Sequence, residues 1–476
     1  MHNEFPGQGE ERMTISPQQL PTEHVTLKRL HSFGILKVIE DGFKQHQGAF
    51  RLICEGESEL VILGKAAHVQ YWLDHYDSFV KEIHKLPSSS AVGRIILGDS
   101  LTFAKDGEEW KNGRKMTAPL VSPKLERTHA AMAKAADWIT ERFLTAASGT
   151  EGIDDIWPIC VEWAARNVLD PFIGSAISVE EGVRFVTLNH EIFFRMIQMA
   201  TADNQEALRN DPELLAYQAK IRELTERALV TAEPDTMVAA LSQTLDIENQ
   251  PQNMVSLVNM LMGNLFGSID NPATNLCWCL IHLARNPEVI ERIQEEAEKL
   301  ESVAWSIQRC PVTMAVVKES LRLTPVSPII ERTTSETVEI DGCRIDKGTN
   351  VIFSPWLIHR NHEYWENPAE FNIDRFLQLK RLDPTTYLPF GQGKRNCVGM
   401  TLSLNQLAFT LLKLCSECRF TLDPLMQMLN LRPKFDTNLH PRGVVAFQVA
   451  PHGSHPSVSS VAPQSQHSEQ STNMTP

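Results

Sequence analysis

The 476-residue sequence has no uninterrupted apolar run of about 18 residues, the length that a membrane-spanning helix requires. Its most apolar stretch, 254–269, is broken by Asn259 and Asn264. The N-terminus is polar and acidic and lacks the pattern of a secretory signal. We therefore expect a soluble protein of the cytoplasm without a membrane span.

Basic residues are outnumbered, because 45 Lys and Arg stand against 59 Asp and Glu. The formal net charge of −14 argues against nucleic-acid binding, which needs a basic surface. The nine cysteines are odd in number and irregularly spaced, which predicts reduced thiols rather than a disulfide framework. Cys415 and Cys418 form a C-x-x-C within an apolar helical pattern, so we expect a structural role there.

Composition divides the chain into three parts. Residues 1–24 are polar, and residues 452–476 are a low-complexity tail rich in Ser and Gln, so both are predicted to be disordered. Residues 25–451 are predicted to form a single domain, because no internal repeat or linker divides them.

Helical periodicity dominates that domain and predicts a mainly α fold with small β-sheets (α+β). Period-two alternation predicts a hairpin at 49–63, with its turn near Gly56, and a second strand region at 329–353. The predicted helices are 124–146, 155–168, 180–200, 212–230, 252–285, 287–301 and 400–416.

The most specific motif is the Gly-rich loop Y-L-P-F-G-Q-G-K-R-N-C-V-G, which runs into an apolar helix. It contains a single cysteine, Cys397, and backbone N–H groups at the helix start can stabilise a thiolate there. Arg395, two residues earlier, can face an anionic group. A lone buried cysteine is ordinarily only a small apolar residue, so the prediction depends on the whole motif.

That motif, F-x-x-G-x-R-x-C-x-G, resembles the heme-binding loop of the cytochrome P-450 family, with Phe390, Gly393, Arg395, Cys397 and Gly399 at its key positions. The resemblance implies a helical prism that encloses heme b. It also implies that the sulfur of Cys397 binds the iron and that Phe390 and Arg395 contact the cofactor.

Further motifs match the same family in order. K-E-S-L-R-L-T-P carries Glu319 and Arg322, which resemble the family's E-x-x-R pair, and spacing of three places both on one helix face. N-P-A-E-F-N-I-D-R-F resembles a later motif in which Arg375 would join that buried pair. Two departures occur there, Ile373 for Pro and Asp374 for Glu.

Three residues resemble the family's contacts to heme propionates. Trp110 and Arg114, in D-G-E-E-W-K-N-G-R-K, resemble its W-x-x-x-R, and a guanidinium suits a carboxylate bidentately. Arg332, which follows P-V-S-P, resembles another such contact. Together the resemblances cover roughly residues 45–450.

The sequence departs from the family in the oxygen-activating helix, where G-S-I-D-N-P at 267–272 aligns with A/G-G-x-D/E-T-T/S. Asp270 supplies the acid, but Asn271 replaces the threonine whose hydroxyl helps to deliver protons. Pro272 cannot bond the carbonyl of Ser268, so a kink is predicted, which either opens a groove or only bends a core helix.

Asn271 leaves several functions open. The leading expectation is a monooxygenase that inserts one oxygen atom from dioxygen into a mainly apolar small substrate in secondary metabolism. Asp270 and Asn271 would organise water and protons, and a separate ferredoxin or flavoprotein reductase would supply electrons. The alternatives are a peroxide-dependent or rearranging heme-thiolate enzyme, and a non-catalytic heme sensor or carrier. The lack of an anchor suggests a bacterial-type enzyme.

The substrate is not readable from the sequence. In the family, pocket residues come from variable segments, here about 78–100 and 170–205. Four apolar side chains in the second segment suggest an apolar ligand, although they could equally be plain core. They are Phe193, Phe194, Met196 and Met199.

Overall fold

Helices make up most of the protein, as the sequence predicts. The computed structural model describes residues 19–54, 59–81, 89–149, 152–199, 204–231, 233–300, 309–428, 431, 433–435 and 438–453. Its helices are α1 Leu27–His46, α2 Ala66–Asp74, α3 Ser89–Leu97, α4 Glu108–Thr117, α5 Glu126–Ser148, α6 Ile156–Ile173, α7 Val179–Met199, α8 Gln205–Arg209, α9 Pro212–Thr231, α10 Met237–Thr244, α11 Met254–Arg285, α12 Pro287–Glu298, α13 Pro311–Leu323, α14 Pro355–Ile358, α15 Asp374–Gln378, α16 Met400–Glu417 and α17 Pro424–Met428. None of these helices of the described residues is long and apolar enough to cross a membrane.

The strands are short and form small sheets. They are β1 Thr22–Val25, β2 Phe50–Cys54, β3 Glu59–Leu63, β4 Phe79–Val80, β5 Ile330–Thr334, β6 Val338–Ile340, β7 Cys343–Ile345, β8 Asn350–Phe353, β9 Cys418–Leu422, β10 Pro433–Phe435, β11 Leu439–Pro441 and β12 Phe447–Pro451. The main sheet has the order β1-β2-β3-β8-β5-β4, and the pairs β6–β7, β9–β12 and β10–β11 are separate.

Both strand regions predicted from alternation are present. β2 and β3 pair antiparallel as the predicted hairpin, whose turn at Gly56 lies outside the described residues. The 329–353 region supplies β5 and β8, which pair antiparallel within the main sheet, and the small β6–β7 pair. Each predicted helix corresponds to one in the structure, namely α5, α6, α7, α9, α11, α12 and α16.

The predicted N-terminal disorder is wrong at its inner boundary. Residues 22–24 belong to β1, which pairs in parallel with β2 and ends at the buried Val25. The polar composition concealed this strand, because an edge strand is held by main-chain hydrogen bonds and needs few apolar side chains. Residues 1–18 and 454–476 lie outside the described residues, so the disorder predicted for them stays a prediction.

The long helix α11 runs through the core and packs against α6, α7, α13 and α16. Most of its residues are buried, as expected for a helix that is apolar on nearly all sides. Its helical backbone continues without a break through Pro272, so the predicted kink does not interrupt the helix. The side-chain amide of Asn271 donates a 3.0 Å hydrogen bond to the carbonyl of Gly267, one turn earlier.

A neutral histidine connects α13 to the chain that leads into the cysteine loop. His359 is buried, its Nδ1 lies 3.2 Å from the carbonyl of Arg322, and its Nε2 accepts the N–H of Leu388 at 3.0 Å. This pairing requires the tautomer with the proton on Nδ1. Burial, aided by the charges of Arg322 and Arg360, lowers the pKa of His359 to about 3.

These hydrogen bonds occupy both nitrogens of His359, so it is not available to a metal together with His362. In the part of the chain that the structure describes, no cluster of three or more His, Cys, Asp and Glu side chains could hold a metal ion. His282 is a second buried neutral histidine, and burial lowers its pKa to about 3 as well.

We expect stability to fall as the pH is lowered from about 6.5 towards 3. An unfolded histidine binds a proton below its ordinary pKa of 6.5, whereas the folded His282 and His359 do not until about pH 3. Each should therefore cost about 1 kcal/mol of unfolding free energy per pH unit in that window. Denaturant unfolding at pH 6.5 and pH 5 measures the change.

The variant His359→Gln should be less stable at neutral pH, because it loses at least one of two buried hydrogen bonds, and its stability should vary less with pH. The exposed His362 offers a matched control, since His362→Gln removes a histidine from the surface. An equal pH dependence in His359→Gln and the parent would contradict the assignment.

Candidate heme-thiolate site

The cysteine loop folds through two glycines in the left-handed region, Gly391 at φ 69° and Gly393 at φ 70°. A Cβ at Gly393 would lie 2.2 Å from the ring of Tyr76, so only glycine fits there. The loop closes where the N–H of Cys397 donates to the carbonyl of Phe390 at 2.8 Å. The glycine spacing of the motif is therefore required by the backbone geometry.

The sulfur of Cys397 receives hydrogen bonds from the backbone N–H groups of Gly399 and Met400, at the start of α16. These bonds and the charge of Arg114 favour the thiolate, but burial is the larger effect and raises the pKa of the thiol. Cys397 is nevertheless an exposed residue. A metal bound at its sulfur could deprotonate the thiol.

A second open space lies along α11. A Cβ at Gly267 would meet no atom within 4 Å, whereas one at Gly263 would lie 2.5 Å from the Cβ of Ser100. Asn271, one turn after Gly267, is only partly buried. This stretch of α11 thus presents a surface that no described side chain fills.

A buried arginine offers a donor that the protein does not use. Arg395 donates from Nε to Asp106 at 2.7 Å and from Nη2 to the carbonyl of Ala104 at 2.8 Å, and its guanidinium lies 4.2 Å from the ring of Trp110. Its Nη1 is buried and has no hydrogen-bond partner in the structure. A buried, unpaired guanidinium N–H is costly, and an anionic group would satisfy it.

Two further cations lie near Arg395. Arg332 is buried and lies 4.9 Å from the ring of Trp72. Burial, followed by the charges of Arg332 and Arg395, lowers the pKa of Lys81 to about 7. Asp106 accepts the backbone N–H of Lys81 as well as the Arg395 bond, so this one carboxylate serves two partners. The cluster carries excess positive charge that suits carboxylates such as propionates.

Arg114 lies beside this cluster but is engaged by the loop. Its Nη1 and Nη2 donate to the carbonyl and the side-chain oxygen of Asn396, at 2.8 and 2.6 Å. Trp110, 7% exposed, packs near both guanidiniums, with that of Arg114 at 5.9 Å. The structure therefore shows Arg114 holding the residue before Cys397, and a direct propionate contact stays a prediction.

The predicted E-x-x-R pair is fully buried. Arg322 donates to both carboxylate oxygens of Glu319, at 2.7 and 2.8 Å, and Arg375 reaches the same carboxylate at 3.3 Å. The remaining donors of Arg322 bond three backbone carbonyls, those of His359, Pro368 and Glu370. The motif residues therefore meet as the sequence predicts.

The acid and the amide of α11 point to different partners. Asp270, 3% exposed, accepts a hydrogen bond from the side chain of Asn438, and its Oδ2 lies 3.8 Å from Nε2 of His440. Asn271 instead bonds back along its own helix to Gly267. Asn438, His440 and Lys81 lie in no recognised motif, and Asp106 opens the stretch D-G-E-E-W-K-N-G-R-K without being one of its matched residues, so sequence reasoning selected none of them.

The sequence comparisons agree with this geometry. The sequence model of the family described as cytochrome P-450 matches residues 26–445. The chain belongs to the cytochrome P-450 family. It is 33% identical over 183 residues to cytochrome P-450 3A17 of Cavia porcellus, which is 36% of each chain. It is 31% identical over 214 residues to cytochrome P-450 3A19 of Capra hircus aegagrus, which is 42% of this chain and 94% of the relative.

A plant relative is similar over a stretch of comparable length. Dihydroniloticin synthase of Melia azedarach is 39% identical over 158 residues, which is 31% of each chain. The match to cytochrome P-450 3A17 and to this synthase thus spans about a third of either protein. The relatives named here come from animals and a plant, and the bacterial-type origin stays a prediction.

Members of this family bind heme b, and the residues described above fit that cofactor. Cys397 provides a sulfur with two N–H donors, and Arg395 provides an unpaired buried N–H for a carboxylate. Gly267 leaves room that any larger side chain would reduce. When bound, a thiolate-ligated heme supplies the activation of oxygen.

The predicted pocket side chains divide between core and surface. Phe193 and Met196 are buried, whereas Met199 is 44% exposed and Phe194 lies 5.2 Å from the ammonium of Lys434. Phe193 also stacks on Phe266, at 5.9 Å between ring centroids, next to Gly267. Residues 82–88 and 200–203 of the predicted segments lie outside the described residues.

We expect Glu319→Gln to destabilise the protein by about 3–5 kcal/mol, because it leaves the fully buried Arg322 without its counter-charge. Denaturant unfolding measures the loss. The matched control is Glu291→Gln, which breaks the ion pair of Glu291 with Arg419 at a half-exposed site and should cost less than about 1 kcal/mol. Similar costs for the two variants would show that burial does not decide the effect.

Two glycines of α11 offer a matched pair of substitutions. Gly263→Ala should cost about 1–3 kcal/mol, because the new Cβ overlaps Ser100. Gly267→Ala should be neutral or add up to about 1 kcal/mol of stability, since alanine favours helix and meets no protein atom. Thermal unfolding compares them, and equal destabilisation would contradict the open space at Gly267.

Proposed function

We propose that this protein is a heme-thiolate monooxygenase that inserts one oxygen atom from dioxygen into a mainly apolar small organic substrate. The observation that carries the proposal is the environment of Cys397, an exposed cysteine whose sulfur accepts hydrogen bonds from two backbone N–H groups. One relative in the family is named as a synthase.

The chain's own residues would divide the work around the cofactor. Cys397 would bind the iron, and the N–H groups of Gly399 and Met400 would moderate the charge on its sulfur. Arg395 and Arg332 would hold the propionates, with Trp110 packed against the Arg395 guanidinium. Further contacts expected from the resemblance are Phe390 and Arg114.

Proton supply would fall to Asp270 rather than Asn271. Asp270 is a buried carboxylic acid held by Asn438, whereas the amide of Asn271 is committed to the carbonyl of Gly267. An amide neither gains nor loses a proton near neutral pH, so Asn271 would position water and not relay protons.

The substrate pocket would be lined by aromatic side chains. Phe266 lies between Phe103, at 6.5 Å, and Phe193, at 5.9 Å between ring centroids, and it precedes the open side of Gly267. Such a wall favours a flat or bulky apolar substrate. The synthase name of the Melia azedarach relative supports a role in secondary metabolism.

Electrons would come from a separate ferredoxin or flavoprotein reductase, because the family fold itself holds only heme. The cytoplasm is the proposed location. It suits the acidic composition and the cysteines described with their side chains, none of which forms a disulfide.

A peroxide-dependent or rearranging reaction is the second candidate. It is favoured by Asn271, which occupies the place of the family's proton-delivering hydroxyl and bonds its own helix. A reaction that starts from a peroxide brings both oxygen atoms with the substrate and needs no electron partner.

The deciding experiment supplies heme-loaded protein with an apolar substrate library, once with reductant, electron-transfer partners and isotopically labelled dioxygen, and once with peroxide alone. A monooxygenase should give product that contains labelled oxygen, with reductant consumed only when substrate is present. Product with peroxide and none with reductant would select the second candidate. Neither product nor reductant consumption would leave a heme sensor or carrier.

Cys397→Ser is the control for thiolate ligation. The carbon monoxide complex of the reduced parent should show a red-shifted Soret band, and the variant should lose it together with turnover, because serine oxygen is a poor ligand for this role. Cys415→Ser is the matched control, because it changes a buried cysteine outside the loop, and it should retain the band. An unchanged band in Cys397→Ser would overturn the ligand assignment.

A further inference from the structure

A stripe on α11 faces one short segment near β11. Asp270, Thr274 and Trp278 are four residues apart and therefore share a helix face. Each of them meets the segment 438–440. The contacts are Asp270 with the amide of Asn438, Thr274 Oγ1 with His440 Nδ1 at 3.3 Å, and Trp278 Nε1 with the carbonyl of Leu439 at 2.5 Å. The segment is thus fixed against α11 at three successive turns.

This arrangement brings an imidazole to the buried acid. Nε2 of His440 lies 3.8 Å from Oδ2 of Asp270, while Nδ1 faces the hydroxyl of Thr274. The edge of Trp157 packs against the imidazole with 4.7 Å between ring centroids. The side chain of His440 is 12% exposed and that of Asp270 is 5% exposed, so the imidazole has more contact with solvent than the acid does.

We propose that His440 is the proton-exchange partner of Asp270, and that Asn438 and Thr274 are positioning residues for the pair. This inference rests on the proposed function, which requires protons at the α11 site. Because Asn271 bonds Gly267 and has no hydroxyl, the acid needs another neighbour that can carry a proton. Histidine is the side chain best suited to do so near neutral pH.

The exchange balances in protons and moves no electrons. Asp270, when protonated, releases its proton towards the open side of α11 and becomes a carboxylate. The imidazolium of His440, whose Nε2 lies 3.8 Å from Oδ2, then passes its proton to that oxygen through a bridging water, and the neutral imidazole takes a proton from solvent. Asn438 donates to the same Oδ2 and so keeps that oxygen turned towards β11.

The imidazole has charged and neutral neighbours. Asp270 on α11 faces its Nε2, and Lys434 lies directly opposite it in the β10–β11 pair. The neutral neighbours are Trp157 of α6 and Thr274 of α11.

The test compares Asp270→Asn, His440→Gln and the double variant with the parent, all loaded with heme. His440→Gln should lower the reductant-driven rate about tenfold or more, leave KM unchanged, and remove one limb of its pH profile. Because His440 acts through Asp270, the double variant should be no slower than Asp270→Asn alone. The exposed His452 supplies the control, and His452→Gln should match the parent.

A second readout needs no turnover. Infrared difference spectra of the resting protein report the protonated carboxyl of Asp270, identified by its loss in Asp270→Asn. In His440→Gln the frequency of this band should shift, because the imidazole next to the carboxyl has been removed. The carbon monoxide spectrum of each variant confirms that heme and fold are retained.

Additive effects of the two substitutions, or a carboxyl band that His440→Gln leaves unchanged, would overturn the proposal. If the parent shows no reductant-driven product but the carboxyl band still shifts in His440→Gln, the pairing stands and the monooxygenase function fails. If the parent turns over normally and the band does not shift, the function stands and the pairing fails.

Discussion

The buried guanidinium of Arg322 is the interaction on which the heme-side scaffold depends. All five of its N–H donors are used, two by the carboxylate of Glu319 and three by backbone carbonyls. Those carbonyls lie at residues 359, 368 and 370, in a stretch with little regular structure. One side chain on α13 thus supplies hydrogen bonds that a helix or sheet would otherwise provide.

The constraint passes from Arg322 to the cysteine loop through His359. The backbone carbonyl of Arg322 accepts from His359, whose other nitrogen accepts the N–H of Leu388. Leu388 precedes Phe390 by two residues, and the carbonyl of Phe390 bonds the N–H of Cys397. The position of the sulfur is therefore set by a chain of buried polar contacts that begins in α13. A change in α13 should therefore affect the cysteine loop, because Arg322, His359 and Leu388 are buried and a hydrogen bond lost there is costly.

Sequence motifs could predict the residues whose contacts are made with neighbours in the sequence. Glu319 and Arg322 are three residues apart on one helix, and Cys397 lies two and three residues before the N–H groups that contact its sulfur. Each of these contacts therefore joins residues that are close in the sequence. The glycines at 391 and 393 were informative because backbone geometry demands them. The same reasoning predicted the α11 helix and the β2–β3 hairpin, whose periodicities are strong.

Residues whose role depends on distant chain segments could not be predicted. Asn438 reaches Asp270 across 168 positions of sequence, and no pattern marks a contact of that range. Lys81 joins Arg332 and Arg395 only after β4 pairs with β5. The strand β1 escaped prediction because its pairing with β2 uses main-chain atoms, which every residue type carries.

The cationic cluster shows how this fold links stability to the cofactor. Lys81, Arg332 and Arg395 are held together in a region with few acids, and their mutual repulsion and burial lower the pKa of Lys81 to about 7. The protein alone therefore carries an electrostatic cost, together with an unpaired N–H on Arg395. Two carboxylates bound there would relieve both, so binding energy is also folding energy. The cluster of Lys81, Arg332 and Arg395 thus costs folding free energy that two bound carboxylates would recover.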